Sequence, residues 1–219
     1  MKPTPFRTAL LLALPLTFGS ALPARAADTS GLKSPLPAWG MEAASRTKGK
    51  IVRTFTFSDR EGEHLLILSR HETDSTLEGA EKGRLEKKEI RATLYRRNGS
   101  SAQQAWLIQD GVDCPMLDSE AVFFTSQVTM TDLMRDGVTE VTVPYRLRCA
   151  GDVSPATIKV ILRKAEQKFA LRGESMIVMT GQPPFGGSKT YDPVLQQPQY
   201  QPLKAHLTQI WNQIYQQRY

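Results

Sequence analysis

Three acidic residues, Asp132, Asp136 and Glu140, stand in the run Asp132-Leu133-Met134-Arg135-Asp136-Gly137-Val138-Thr139-Glu140, which follows the DxDxDGxxE spacing of calcium loops. Ca²⁺ takes six to eight oxygen ligands, and the glycine allows the sharp turn that brings them together. The chain departs from that pattern at Met134, a side chain that cannot ligate a hard cation, and Arg135 adds a positive charge beside it. Calcium is thus the one cofactor the residues point to, through a shortened ligand set. The same residues also read as a hairpin turn, with Gly137 at positive φ and Asp132 bonded to the loop backbone.

Nucleophilic and hydrolytic signatures are sparse. Ser45-Arg46-Thr47-Lys48 has the SxxK spacing, but the motifs that accompany it in penicillin-recognising enzymes are missing, as are GxSxG and HExxH. His64 and His71 are an odd number of residues apart, so one strand would send them to opposite faces. Neither these two nor His206 supplies a zinc spacing with the two cysteines. Cys114 and Cys149 therefore read as a disulfide, which in the chain-entropy model stabilises by roughly 3.8 kcal/mol. Arg146 and Arg148 alternate on one strand and Lys159 and Arg163 on the next, so a cationic stripe is expected across the pair, suited to phosphorylated or uronic glycans. A solvated outer face accounts for the same pattern. Two carboxylates meeting across a cleft would make a glycoside-acting enzyme, a condition set in three dimensions.

These residues need a scaffold, and the sequence describes a β-rich one. From Lys50 to about residue 180 the apolar residues recur with period two in short runs separated by turn residues, which predicts antiparallel sheets built from successive hairpins, as a sandwich or as propeller-like blades. Residues 50–57 and 64–69 form the first hairpin. Residues 90–95 and 105–108 form the second, around Asn98-Gly99. Between them the charged run 72–89 reads as a solvated loop. Val141, Val143, Tyr145, Leu147 and Cys149 share one face, which places Cys149 toward the core and the disulfide between that strand and the loop after the second hairpin. Further strands follow at 158–162, 169–171 and 176–179. Residues 181–202, with five prolines, read as an irregular connection. Leu203, Leu207, Ile210, Trp211 and Ile214 fall on one side of a C-terminal amphipathic helix, 203–219, that packs on the β domain.

The start of the chain bounds the compartment. Lys2 and Arg7, the apolar run 9–18 and Ala24-Arg25-Ala26 have the order of a cleavable signal peptide, residues 1–26. Residues 27–49 read as a flexible lead-in. Without Lys2, Arg7 and Arg25 the formal charge falls from +6 to +3, an ordinary surface that gives no reason to invoke nucleic acid. The expected location is periplasmic or secreted, with no transmembrane segment after cleavage.

The segments Val128-Thr129-Met130-Thr131-Asp132-Leu133, Asp136-Gly137-Val138-Thr139-Glu140-Val141, Tyr145, Cys149-Ala150-Gly151-Asp152-Val153-Ser154-Pro155, Lys159-Val160 and Lys168-Phe169-Ala170-Leu171-Arg172-Gly173-Glu174, with Asp192-Pro193 and Trp211, resemble a family of small exported bacterial proteins named for surface polysaccharide biosynthesis. The resemblance covers roughly residues 110–215 and carries no catalytic residue. It implies an exported, non-catalytic accessory protein of the cell envelope that binds a glycan or a protein partner. An envelope glycan-acting enzyme with paired carboxylates, and a periplasmic inhibitor or immunity protein, are the alternatives.

Overall fold

The computed structural model describes residues 36–77 and 83–219, so the expected signal peptide, residues 1–26, lies outside the described residues. The chain is mainly β, with antiparallel sheets of successive hairpins and a C-terminal helix. Strands β1 (Lys50–Asp59), β2 (Gly62–Leu77), β3 (Gly83–Asn98) and β4 (Ser101–Pro115) form one meander in that order. The second sheet is built from β5 (Asp118–Phe123), β6 (Thr129–Thr131), β7 (Glu140–Ala150), β8 (Thr157–Lys164) and β9 (Gln167–Glu174), and β12 (Lys189–Tyr191) joins its edge beside β9. A small third sheet pairs β10 (Met176–Val178) with β11 (Phe185–Gly186) and, in parallel, with β13 (Gln216–Arg218).

The two large sheets face each other across one apolar core, which decides for a sandwich. Cross-strand rows of the first sheet, Phe55–Leu66–Leu94–Trp106 above all, meet Ala121, Val141, Val143, Tyr145, Leu147, Ile161 and Ala170 of the second. Each sheet is apolar on its other face as well. Leu65, Ile67, Tyr95 and Ala102 of the first are covered by helix α1 (Ala38–Ser45) through Trp39 and Ala43. Ile158, Val160, Leu162, Phe169 and Leu171 of the second are covered by α2 (Gln201–Ile214) through Leu203, Leu207, Ile210, Trp211 and Ile214. The order is helix, sheet, sheet, helix. Burying the Trp211 side chain alone is worth a few kcal/mol, about 3–5 on truncation to alanine.

Several expectations are corrected. The lead-in is ordered from Leu36: Gly40 lets α1 approach Leu65 closely, since a Cβ there would come within 2.7 Å of the leucine Cδ2. The described parts of the charged run, 72–77 and 83–89, belong to β2 and β3, which continue as a paired arm with Glu72 opposite Lys88 and His71 opposite Glu89. Each such cross-strand pair contributes about 0.2–1 kcal/mol, and on the inner face Glu86 and Lys88 reach Ser119 of β5. The Pro-rich connection contains β11, β12 and two 3-10 turns, Pro193–Gln196 and Pro198–Tyr200. The terminal helix starts at Gln201 and stops at Ile214, after which the chain straightens into β13.

Candidate functional site

The next row of the core face beyond Phe55–Leu66–Leu94–Trp106 is Phe57–His64–Arg96–Gln103. At that row the sandwich opens. The gap between its sheets is a cleft of about 260 Å³. Its floor is Leu94, Trp106 and the Phe57 ring stacked on the His64 imidazole, with centroids 4.8 Å apart. Gln103, Gln104, Arg96 and Glu61 rise from the first sheet, and Ala165 and Glu166 close over it from the turn between β8 and β9. Ala165 holds φ 45°, a region costly for any residue but glycine.

His64 is buried, and its Nε2 lies 2.8 Å from Asp59 Oδ1. With Asp59 ionised, Nε2–H donates to it, which leaves Nδ1 as an acceptor, and that atom is buried without a partner. Asp59 takes two further hydrogen bonds: Oδ1 also accepts the Glu61 N–H at 2.8 Å, and Oδ2 accepts the Thr139 N–H at 2.9 Å. Burial pushes its carboxyl up, but the amides of Thr139 and Glu61 and the His64 hydrogen bond outweigh this and hold it below its ordinary value. The same turn donates Arg60 N–H to the Gly137 carbonyl, 2.8 Å, so the first hairpin is clipped to the segment leading into β7. Asp59 is thereby a brace that orients His64 and pins the turn to the segment before β7.

The calcium-like loop is held by other means. Asp132 accepts the N–H groups of Asp136 and Gly137, each at 3.0 Å. Glu140, fully buried, accepts the Leu133 N–H at 2.6 Å. The ammonium of Lys164, directly across the β7–β8 pair from Glu140, lies 2.8 Å from both Asp136 Oδ1 and Glu140 Oε1. Burial lowers the Lys164 pKa, while these two carboxylates raise it and prevail. A lysine thus stands where the two carboxylates would share a cation. Among the described residues no three His, Cys, Asp or Glu side chains are grouped to hold a metal.

The expected cationic stripe is not formed. Arg146 pairs with Ile158, and Tyr145 with Lys159. Directly opposed residues share a face, so Arg146 and Arg148 lie on the α2 side while Lys159 and Arg163 lie between the sheets. Arg146 bonds Glu120 and stands over Phe124, and Arg148 donates to the Asp152 carbonyl. Lys159 donates to Asp110 Oδ2 at 2.6 Å, beside the Tyr145 hydroxyl at 2.7 Å, and Arg163 covers Trp106 at 5.6 Å. Buried and bonded to Asp110, the Tyr145 hydroxyl has its pKa raised.

The disulfide is present, with Cα atoms 5.5 Å apart, and it joins the ends of β4 and β7, hence the two sheets. Cys114 sits in a strand instead of a loop and is buried; Cys149 is exposed, because the core face of β7 ends at Leu147. Ser45 bonds the Glu42 carbonyl and Lys48 reaches Glu89, so the SxxK pair does not converge on a site. A wider groove of about 580 Å³ crosses the outer face of the β2–β4 arm near Lys48, His71 and Gly111. It has no aromatic floor, and its Lys87–Asp113 and Lys48–Glu89 pairs satisfy each other. The cleft is the better candidate. Comparison of the chain with protein families, curated proteins and solved structures returns no match.

Proposed function

We propose that the protein is an exported, non-catalytic accessory protein of the cell envelope, linked to surface polysaccharide, that binds a short glycan segment in the cleft at the open end of the sandwich. The observation that carries this reading is the lining: an apolar and aromatic floor of Leu94, Trp106, Phe57 and His64, ringed by the amides of Gln103 and Gln104 and by the charged groups of Glu61, Arg96 and Glu166. Ligand sites are concave and largely apolar with a few placed polar groups, and this one falls just below their usual range of roughly 300–1,000 Å³, a size for a sugar unit or two. Aromatic faces suit the C–H faces of a sugar ring, and amides and carboxylates suit its hydroxyls. The signal-like residues 1–26 and the Cys114–Cys149 bridge support the oxidising compartment. Three hydrogen bonds hold Asp59 in place, which supports a bracing role for it over that of one of two catalytic carboxylates. The test combines a glycan array with surface-polysaccharide measurement in a deletion strain. Selective binding lost in Gln103→Ala/Gln104→Ala, with altered polysaccharide, bears the reading out; no glycan bound and unchanged polysaccharide refute it.

One observation favours a protein partner as a second reading. Met116, Leu117 and Val153 are 60%, 44% and 40% exposed in the two loops beside the disulfide, and Met116 holds φ 56°. A rigid, strained apolar tip is what an inhibitor presents. Co-purification of a partner that Met116→Asp/Leu117→Asp abolishes would favour that reading over the glycan.

A further inference from the structure

The cleft has a sign. Asp59, Glu61 and Glu166 line it against the single guanidinium of Arg96, which Glu61 already engages at 3.3 Å. Counting Arg163, which stands over Trp106, the lining is still net negative. Glu166 makes no ion pair among the described residues and is exposed at the tip of a two-residue turn whose strands, β8 and β9, are fixed by pairing at Lys164–Gln167. Beneath it, His64, 4% exposed, contributes a second acceptor, Nδ1, with no donor of its own. The phosphorylated or uronic glycans that a cationic stripe would attract are repelled here, whereas a ligand bearing positive charge and N–H or O–H donors is complementary.

We infer that the cleft selects an amino sugar with a free ammonium group, which Glu166 pairs from above while the ring lies on the Phe57–His64–Trp106 floor. This rests on the cleft being a glycan site. A neutral or N-acetylated sugar satisfies the floor and the amides but leaves Glu166 with no direct ion pair, only the more distant charge of Arg163; a uronate adds repulsion. A single partly screened charge pair is worth about a factor of ten in affinity.

The experiment is titration calorimetry of the purified protein with glucosamine oligomers, their N-acetylated counterparts and oligogalacturonates at pH 6 and low salt, alongside ¹⁵N spectra of the histidine side chains. The expected result is binding of the glucosamine oligomer about tenfold tighter than of the acetylated one, a preference that Glu166→Gln and 0.5 M NaCl both erase, and a shift of the His64 ring nitrogens on binding. Glu166 is a turn residue in water, so its variant folds, which circular dichroism checks. Equal or tighter binding of the acetylated or uronate oligomer, or a preference that survives Glu166→Gln, overturns the charge assignment and leaves the glycan site standing. No binding by any of the three classes overturns the glycan site with it.

Discussion

Replacing Lys164 with methionine is the sharpest test of how the loop before β7 is held. Its aliphatic stem and 14% exposure are matched by the methionine, so what is removed is the ammonium between Asp136 and Glu140. Glu140 is then left fully buried with the Leu133 N–H as its remaining hydrogen bond. Removing one partner of a buried pair costs about 3–5 kcal/mol, and the retained amide bond and the half-exposed Asp136 place this case near 3. For a domain of this size that is a fall in Tm of roughly 6–12 °C. Urea unfolding at pH 7 gives the free energy directly. The double variant Glu140→Gln/Lys164→Met removes the orphaned charge and is expected to recover at least half of the loss, because the cost lies in the unpaired carboxylate. The pH dependence has two wings. Lys164 is raised in the folded state, so its contribution is fully present below its ordinary value of 10.5 and is lost as pH rises through the higher folded one. Asp136 is lowered by the Lys164 hydrogen bond, so its contribution is present above 3.8 and is lost as pH falls through its folded value. A Lys164→Met protein within about 1 kcal/mol of wild type, or a double variant no more stable than the single one, would refute the buried-pair account.

The remaining predictions concern the braces around that loop and the sheets. Excess Ca²⁺ or EDTA should leave the melting midpoint unchanged, since a ligand that binds the native state must raise it and Lys164 already serves the two carboxylates. Cys114→Ala/Cys149→Ala opens a sequence separation of 35 and should cost about 2–4 kcal/mol in chemical unfolding, while mass spectrometry of the unreduced wild type shows the crosslink. Gly173→Ala would drive a Cβ into the Ser188 carbonyl oxygen, so β12 should detach from β9, read as faster amide exchange at Thr190 and Tyr191 and a loss of roughly 1–3 kcal/mol. His206, whose ring accepts or donates a 2.9 Å bond with Thr129 Oγ1, is lowered from 6.5 by burial. The unfolded chain therefore takes up the proton first, and stability should fall as pH drops below 6.5, a slope that His206→Gln flattens.

The parts of the fold that alternate one apolar and one polar residue were legible: both inner hairpin faces, the valine face of β7 and the stripe of α2 all follow from period. The arm of β2 and β3 was not, because its inner face is covered through polar side chains, Glu86 and Lys88 on Ser119, and so carries no apolar period of two; what remains is opposite charge at paired positions, such as Glu72 and Lys88, visible only once register is known. α1 is short, and its contact depends on Trp39 and on the missing side chain of Gly40, neither of which forms a pattern. The cationic stripe failed for a related reason. Parity within β7 and within β8 was right, but the register between them, Arg146 against Ile158, puts the two basic pairs on opposite faces. Of the candidate site, Asp59 and His64 carried one readable sign, a carboxylate and an imidazole flanking a tight turn. Trp106, Glu166 and Val138 come to the cleft from distant segments, and only the stacking of two sheets assembles them.

That the second sheet is apolar on both faces has a bearing on how the chain reaches this state. Ile158, Val160, Phe169 and Leu171 wait for α2, which follows about thirty residues later and closes over them with Trp211. A sheet lacking that cover would expose this apolar face to water, the kind of surface through which chains self-associate or engage a chaperone. The last helix is therefore less an appendage of the sandwich than its closing step, and proteolytic loss of that helix would convert a well-behaved fold into an aggregating one.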